Sequence, residues 1–189
     1  MGTLKTTNIQ TITGSGTLTL GTSGETLALG SGVTSNLMYP AFMATMGTSN
    51  QNVTNITATK VQLTNEVIDT DNAFDNSTNY RFTVPSGGAG KYLINGGLTL
   101  RSGGQTNLEI VYAYLYKNGS EVNISFSSFK ANPIFISTQN FSVLIDLVAG
   151  DYLELFGYIE VVSGTPSFDP GVSSDATKST YLAGYRIGT

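Results

Sequence analysis

The side chains in this sequence that could do chemistry are few, and their types narrow what that chemistry could be. Among 189 residues there is no histidine and no cysteine. Histidine is the commonest general base and transition-metal ligand. Without it or a thiol, hydroxyl and thiol nucleophilic chemistry lacks its usual players. Disulfides and thiolate metal sites are excluded as well. The acidic residues remain. A pair that cleaves polysaccharide needs two carboxyl groups about 5–10 Å apart. Glu154 and Glu160 share one face of an expected strand, but six residues of strand put them about 20 Å apart. Other pairs, formed across strands, stay open. The stretch Asp69-Thr70-Asp71-Asn72-Ala73-Phe74-Asp75-Asn76 has calcium-loop spacing at a few positions. It lacks the glycine and the closing glutamate of an EF-hand loop, and it reads as a turn rich in Asx residues. No catalytic residue, cofactor or metal is assigned.

Recognition chemistry is better supplied. Ten tyrosines are present, three of them at alternate positions in Asn107–Gly119, Asn-Leu-Glu-Ile-Val-Tyr-Ala-Tyr-Leu-Tyr-Lys-Asn-Gly. Strand side chains alternate between faces. One face then carries Leu108, Ile110, Tyr112, Tyr114 and Tyr116, and the other Glu109, Val111, Ala113 and Leu115. The run ends in Asn118-Gly119, the strongest short hairpin signal. Three bare tyrosines would expose roughly 450–750 Å², more than a monomer usually shows. Tyr152 to Val162 repeats the pattern, with Leu153, Leu155, Ile159 and Val161 on one face and Tyr152, Phe156 and Tyr158 on the other. Tyr112, Tyr114, Tyr116, Tyr152, Phe156 and Tyr158 are therefore expected to meet another copy of the chain.

Bulk composition removes other partners. Charged residues make up 12%, about half the usual share. Net charge is −4 and the nine basic residues are scattered, so no basic stripe exists to grip nucleic acid. Hydrophobic content of 40% is too high for disorder. No apolar run is long enough to cross a bilayer, and the polar first residues lack the apolar core of a signal peptide. Synthesis in a cytoplasm is expected, with the Asn-x-Ser/Thr sites left bare.

The elements that position these residues are short strands. Residues 1–36 stand apart, with Lys5 and Glu25 their only charges. Gly16-Thr17-Leu18-Thr19-Leu20-Gly21 recurs nine residues later as Glu25-Thr26-Leu27-Ala28-Leu29-Gly30. Repeats this short cannot bury a face alone. Leu18, Leu20, Leu27 and Leu29 are expected to associate around an axis as a slender β stalk. Residues 37–189 form the head. Tyr80–Pro85, Lys91–Leu100 (weakened at Gly96-Gly97), the tyrosine strand, Glu121–Phe129, Asn140–Val148, Tyr152–Val162 and Thr180–Gly188 read as strands between turns. Ser163–Lys178 is the longest stretch without a strand pattern. Phe168 and Asp169 near its middle, with Asn118 and Gly119 at the hairpin, are the candidate ligand loops. No amphipathic helical period of useful length occurs. Roughly ten strands separated by turn signals give an all-β sandwich.

The order of motifs carries a resemblance. Ala41-Phe42-x-Ala44, Phe82-Thr83-Val84-Pro85, Gly90-Lys91-Tyr92, Tyr116-Lys117-Asn118-Gly119, Leu147-Val148-Ala149-Gly150-Asp151-Tyr152 and Ala183-Gly184-Tyr185 together resemble the globular head of the first complement component and its relatives in the tumour-necrosis-factor superfold. The likeness covers about residues 39 to 189. It implies a ten-stranded jelly roll that forms a tight homotrimer on a stalk and binds other molecules without transforming them. The collagen stalk of the animal members is absent. In its place, Gly16 to Gly32 resembles the N-terminal region of bacteriophage virion proteins, especially short fibres. Arg186 stands where that family usually has an apolar residue. The expected function is a non-enzymatic trimeric virion fibre or knob, made in a host bacterial cytoplasm. It would be joined to other virion proteins through residues 1–36 and would present its head to a host-surface glycan or protein. Neither nucleic-acid binding nor membrane insertion is expected. The alternatives are a capsid decoration or head fibre with a structural role and, less favoured, a polysaccharide depolymerase.

Overall fold

Alternating apolar residues broken by glycine, proline and Asx turns should give two layers of antiparallel strands, and the computed structural model has that form. It describes residues 39–104, 106–171 and 178–188. The stalk residues Leu18, Leu20, Leu27 and Leu29, and residues 172–177 of the 163–178 loop, lie outside the described residues. In chain order the strands are β1 (Ala41–Thr45), β2 (Gln51–Asn52), β3 (Thr59–Lys60), β4 (Asn65–Asp69), β5 (Phe74–Asp75), β6 (Arg81–Thr83), β7 (Gly90–Arg101), β8 (Leu108–Lys117), β9 (Ser120–Ser128), β10 (Ile136–Leu147), β11 (Tyr152–Val161), β12 (Ser167–Asp169) and β13 (Tyr181–Gly188). Ten of these have three or more residues and three have two. There is no helix among the described residues.

One sheet runs β2-β12-β7-β13-β1-β4, with β10 along the free side of β7. The other runs β5-β6-β11-β8-β9, with β3 on β11. Between them lies one core. Ile94, Leu98 and Leu100 from β7 face Val111, Leu115, Leu153, Leu155 and Ile159 from β8 and β11. Phe42 of β1 stacks on Phe82 of β6 with ring centroids 4.1 Å apart, tying one sheet to the other. Tyr92 is fully buried and donates its hydroxyl proton to the Gly88 carbonyl at 2.6 Å. A buried hydroxyl needs such a partner, and burial pushes its pKa up to about 12.

The strand expected over Lys91–Leu100 runs unbroken through Gly96-Gly97. The Phe141 ring of β10 lies over Gly96 and the Tyr181 ring of β13 over Gly97, where any side chain would collide. Rings from neighbouring strands shield the bare glycine backbone.

The expected alternation of the tyrosine strand needs one correction. Glu160 of β11 pairs with Ile110 and Val161 pairs with Leu108, so Glu109 is an extra residue in β8. This bulge turns Leu108 into the core, where it is fully buried. Ile110 and the tyrosines stay on the outer face. The hairpin reads as expected. Asn118 (φ 53°) and Gly119 (φ 78°) both adopt left-handed backbone, as a two-residue type I′ turn requires.

Candidate functional site

Strand alternation beyond the bulge sends Tyr112, Tyr114 and Tyr116 outward. The β11 register sets Tyr158 opposite Tyr112 and Phe156 opposite Tyr114. The rings touch. Tyr112 and Tyr114 stack at 5.3 Å with planes 4° apart. Tyr114 meets Tyr116 edge-on at 5.9 Å. Tyr116 stacks on Phe156 at 4.3 Å, and Tyr158 meets Tyr112 edge-on at 5.4 Å. The structure thus brings five of the six expected contact residues into one array. Tyr152 sits apart under the Arg81 guanidinium, 4.2 Å from its ring centroid. All six are half-buried. Because the ring faces cover one another, much of the 450–750 Å² reckoned for separate tyrosines is already shielded. What remains open is largely ring edges and hydroxyls.

Those hydroxyls lack partners among the described residues. The phenols of Tyr112, Tyr114, Tyr116 and Tyr158 form no hydrogen bond with another described residue. Burial raises the Tyr114 pKa to about 12, with Tyr112 and Glu121 adding to it. Burial and then the Glu160 carboxylate push Tyr158 upward too.

Phe126 of β9 completes the array, 4.7 Å from Tyr112. Sequence reading missed it, because counting back across the Asn118-Gly119 hairpin pairs Tyr112 with Ser125, and only the extra residue Val122 in β9 moves Phe126 opposite Tyr112. The surrounding strand is inside out. Val122, Ile124 and Phe126 face solvent, Phe126 with 51% of its surface open. Ser125 and Ser127 face the neighbouring sheet and donate to Gln139 Oε1 at 3.2 and 3.3 Å. The seam between edge strands β9 and β10 is therefore polar, and the apolar side of β9 extends the aromatic face.

Most of the carboxylates among the described residues are engaged in holding structure. Glu154, buried on β11, pairs with Lys60 Nζ at 2.5 Å. Glu160 pairs with Lys130 at 2.8 Å. Lys117 Nζ sits 2.8 Å from Asp151 Oδ2, and Asn118 Nδ2 donates to Asp151 Oδ1 at 2.7 Å. Burial alone would raise the Asp151 pKa. The Lys117 ammonium, the Val148 N–H and the Asn118 amide outweigh it and hold the carboxyl at about 2. Asn118 also accepts from the Tyr152 N–H at 2.9 Å. Its side chain locks the hairpin to the β10–β11 turn, which leaves only exposed backbone at Asn118 and Gly119 for contact. In the Asx-rich turn, Asp75 accepts from the Ser77, Thr78 and Asn79 N–H groups, which hold its carboxyl well below the usual range. Among the described residues no three His, Cys, Asp or Glu side chains are grouped to hold a metal ion.

Phe168 and Asp169 are not ligand-loop residues. Ser167-Phe168-Asp169 forms β12, inserted between β7 and β2. Phe168 is fully buried and packs under Gly157. Asp169, 3% exposed, pairs with Arg101 at 2.6 Å and accepts from the Gly171 N–H at 2.8 Å. Flanking Pro166 and Pro170 disguise a strand three residues long.

A second outer face lies on the opposite sheet. The paired strands align Leu144, Leu93, Tyr185 and Ala41 in one row. Ser142, Asn95, Ala183, Met43 and Ile68 form the next. These two rows cross five strands without a formal charge, and Leu144 and Ile68 expose 66% and 49% of their surface. Arg186 shares the inward parity of Leu182 and Gly184. At the end of the sandwich it donates from Nη1 to the Gly87 carbonyl at 3.0 Å, so it lies outside these rows.

No protein-family model matches the chain, and no curated protein matches it in sequence. Solved structures do match in fold. The globular domain of zebrafish complement 1qA protein aligns with 13% identity and a TM-score of 0.51, over 78% of this chain and 97% of that one. Murine APRIL aligns with 10% identity and a TM-score of 0.53, over 77% and 98%. Eiger TNF from S. frugiperda aligns with 10% identity and a TM-score of 0.56, over 80% and 94%. The fold is the jelly-roll sandwich shared by complement C1q heads and tumour necrosis factors.

Proposed function

We propose that this chain is a non-enzymatic binding head that works as a homotrimer, carried on a bacteriophage particle through residues 1–36. The observation that carries the assembly reading is the uncharged face crossing β10, β7, β13, β1 and β4. Five strands about 4.8 Å apart, three of them some 30 Å long and β1 and β4 about 17 Å, present about 600 Å², within the range of the roughly 800 Å² each partner contributes to a stable interface. Charge depletion at the centre is the compositional mark of such interfaces. The number three comes from the resemblance to complement and tumour-necrosis-factor heads. The virion setting rests on the likeness of the Gly16–Gly32 leucine pairs to short-fibre proteins.

The sequence expectation put the copy-to-copy contact on the tyrosine face. Leu93, Leu144, Met43 and Ile68 suit that role better, because the tyrosines already cover one another and have ion pairs on either side. Three copies held together would bind a repetitive surface with avidity even if each site were weak. Absence of catalysis is supported by the ion-paired state of Glu154 and Glu160 and by the lack of histidine and cysteine. Light scattering on the full chain tests the assembly. The expected mass is three times that of one chain, and Leu93→Arg should reduce it to a single chain. A wild-type monomer would sink the proposal. Electron microscopy of particles with and without the protein, paired with adsorption assays, tests the fibre role.

A further inference from the structure

The aromatic face is left open by the assembly just described, and its chemistry indicates what it could hold. Its uncharged part spans β9, β8 and β11, three strands about 4.8 Å apart and some 30 Å long, or about 400 Å². That is about half of what a second copy of the chain would need. The occupant is therefore narrow. Beside the array Lys60 is paired with Glu154 and Lys130 with Glu160, while Glu109 and Glu121 stand at opposite ends of β8. A polyanion would find no uncompensated cation beside the rings, and two separated carboxylates give a polycation little to hold. Strand β8 is hydrogen-bonded on both sides, to β9 and β11, so an extended peptide cannot add to it as a strand. The remaining offer is a row of apolar ring edges, each next to a phenol hydroxyl without a partner among the described residues.

We infer that this face binds a neutral, linear glycan, laid along Tyr112, Tyr114 and Tyr116 of β8. A pyranose ring has the same division, with apolar C–H groups that can pack against the open ring edges and hydroxyls that donate to and accept from a phenol. Successive rings along β8 lie 5.3 and 5.9 Å apart, a spacing that a chain of repeating sugar units can follow, and Tyr158 stands beside Tyr112 across the strand pair. Mutual stacking fixes the rings beforehand, so little side-chain freedom is lost on binding. The desolvated Tyr114 phenol stays protonated at neutral pH and can donate. The inference rests on the reading of this chain as a binding head and names the class of ligand.

The test uses the full chain and three neutral hexasaccharides (of glucose, mannose and N-acetylglucosamine), with hyaluronan as an anionic control. Tyrosine emission is a direct reporter, since the chain has ten tyrosines and no tryptophan. At least one neutral hexamer should quench emission saturably in the millimolar range or below, independently of salt. Tyr114→Ala should weaken that binding about tenfold, equivalent to 1.4 kcal/mol. Tyr114→Phe, which loses only the hydroxyl, should fall between. Both variants should keep the wild-type mass and melting profile. The inference is overturned if no neutral hexamer binds, if only hyaluronan binds, or if binding survives a Tyr112→Ala/Tyr114→Ala double change. A lower mass for Tyr114→Ala would also overturn it, by making the face a contact between copies. The assembly reading fails separately, through the mass of the wild type and of Leu93→Arg.

Discussion

The two outer faces of the sandwich come from the same period-two alternation, yet they differ in kind. On the β10–β7–β13–β1–β4 side, aliphatic, small and amide residues sit in rows with no charge, Tyr185 being the one ring among them and stacked on no other described ring, so their exposed surface needs a flat partner. On the β9–β8–β11 side, rings stack on rings within one chain and turn edges and hydroxyls outward. An apolar side chain is thus an incomplete guide to what a surface needs. A leucine cannot shield its neighbour as a stacked tyrosine can, and it carries no polar edge to leave in water.

Charge insertion should divide the two faces most sharply. Leu93→Arg is expected to dissociate the trimer, because an unpaired guanidinium would be buried between copies. Tyr114→Arg should leave the mass unchanged in light scattering. The reverse result would exchange the roles assigned to the faces.

Next in size is a contrast between core and surface aromatics. Phe168→Ala should cost about 3–5 kcal/mol in denaturant unfolding, since it empties a filled position between the sheets. Phe126→Ala, on the outer face, should cost about 1 kcal/mol or less, because much of that ring already meets solvent. Equal costs would mean that β9 is covered in the native molecule.

Acid should act on the end of the aromatic sheet. The Asp151 carboxyl is held at about 2, against an ordinary value near 3.9. Its folded pKa lies below its unfolded one. The stabilisation is therefore full above about pH 4 and fades as pH falls toward 2. Melting temperature followed from pH 5 to 2 should show this loss, and Lys117→Met should reduce it. A melting profile that is flat across this range in the wild type would contradict the pairing. The effect should be about 1–2 kcal/mol, since Lys117 is partly in water.

How far the sequence could be read depended on the range of the interactions involved. The Asn118-Gly119 turn was legible because two adjacent residues with left-handed backbone set it locally. The outward row of Tyr112, Tyr114 and Tyr116 followed from alternation for the same reason. Leu108 was misplaced because the Glu109 bulge arises from pairing with Glu160 and Val161 about fifty positions on. Phe168 and Asp169 were read as loop because a three-residue strand between prolines has no period to detect. Only the neighbours β7 and β2 make it a strand.

The sequence by itself determined an all-β chain with two apolar faces on its central strands. It also ruled out histidine and thiol chemistry, since composition and period-two alternation are properties of the chain alone. Tertiary structure decided which apolar residues shield one another, which carboxylates are neutralised, and that β9 turns its polar side inward. Those outcomes depend on residues brought together from distant positions, and strand pairing sets the distances between them.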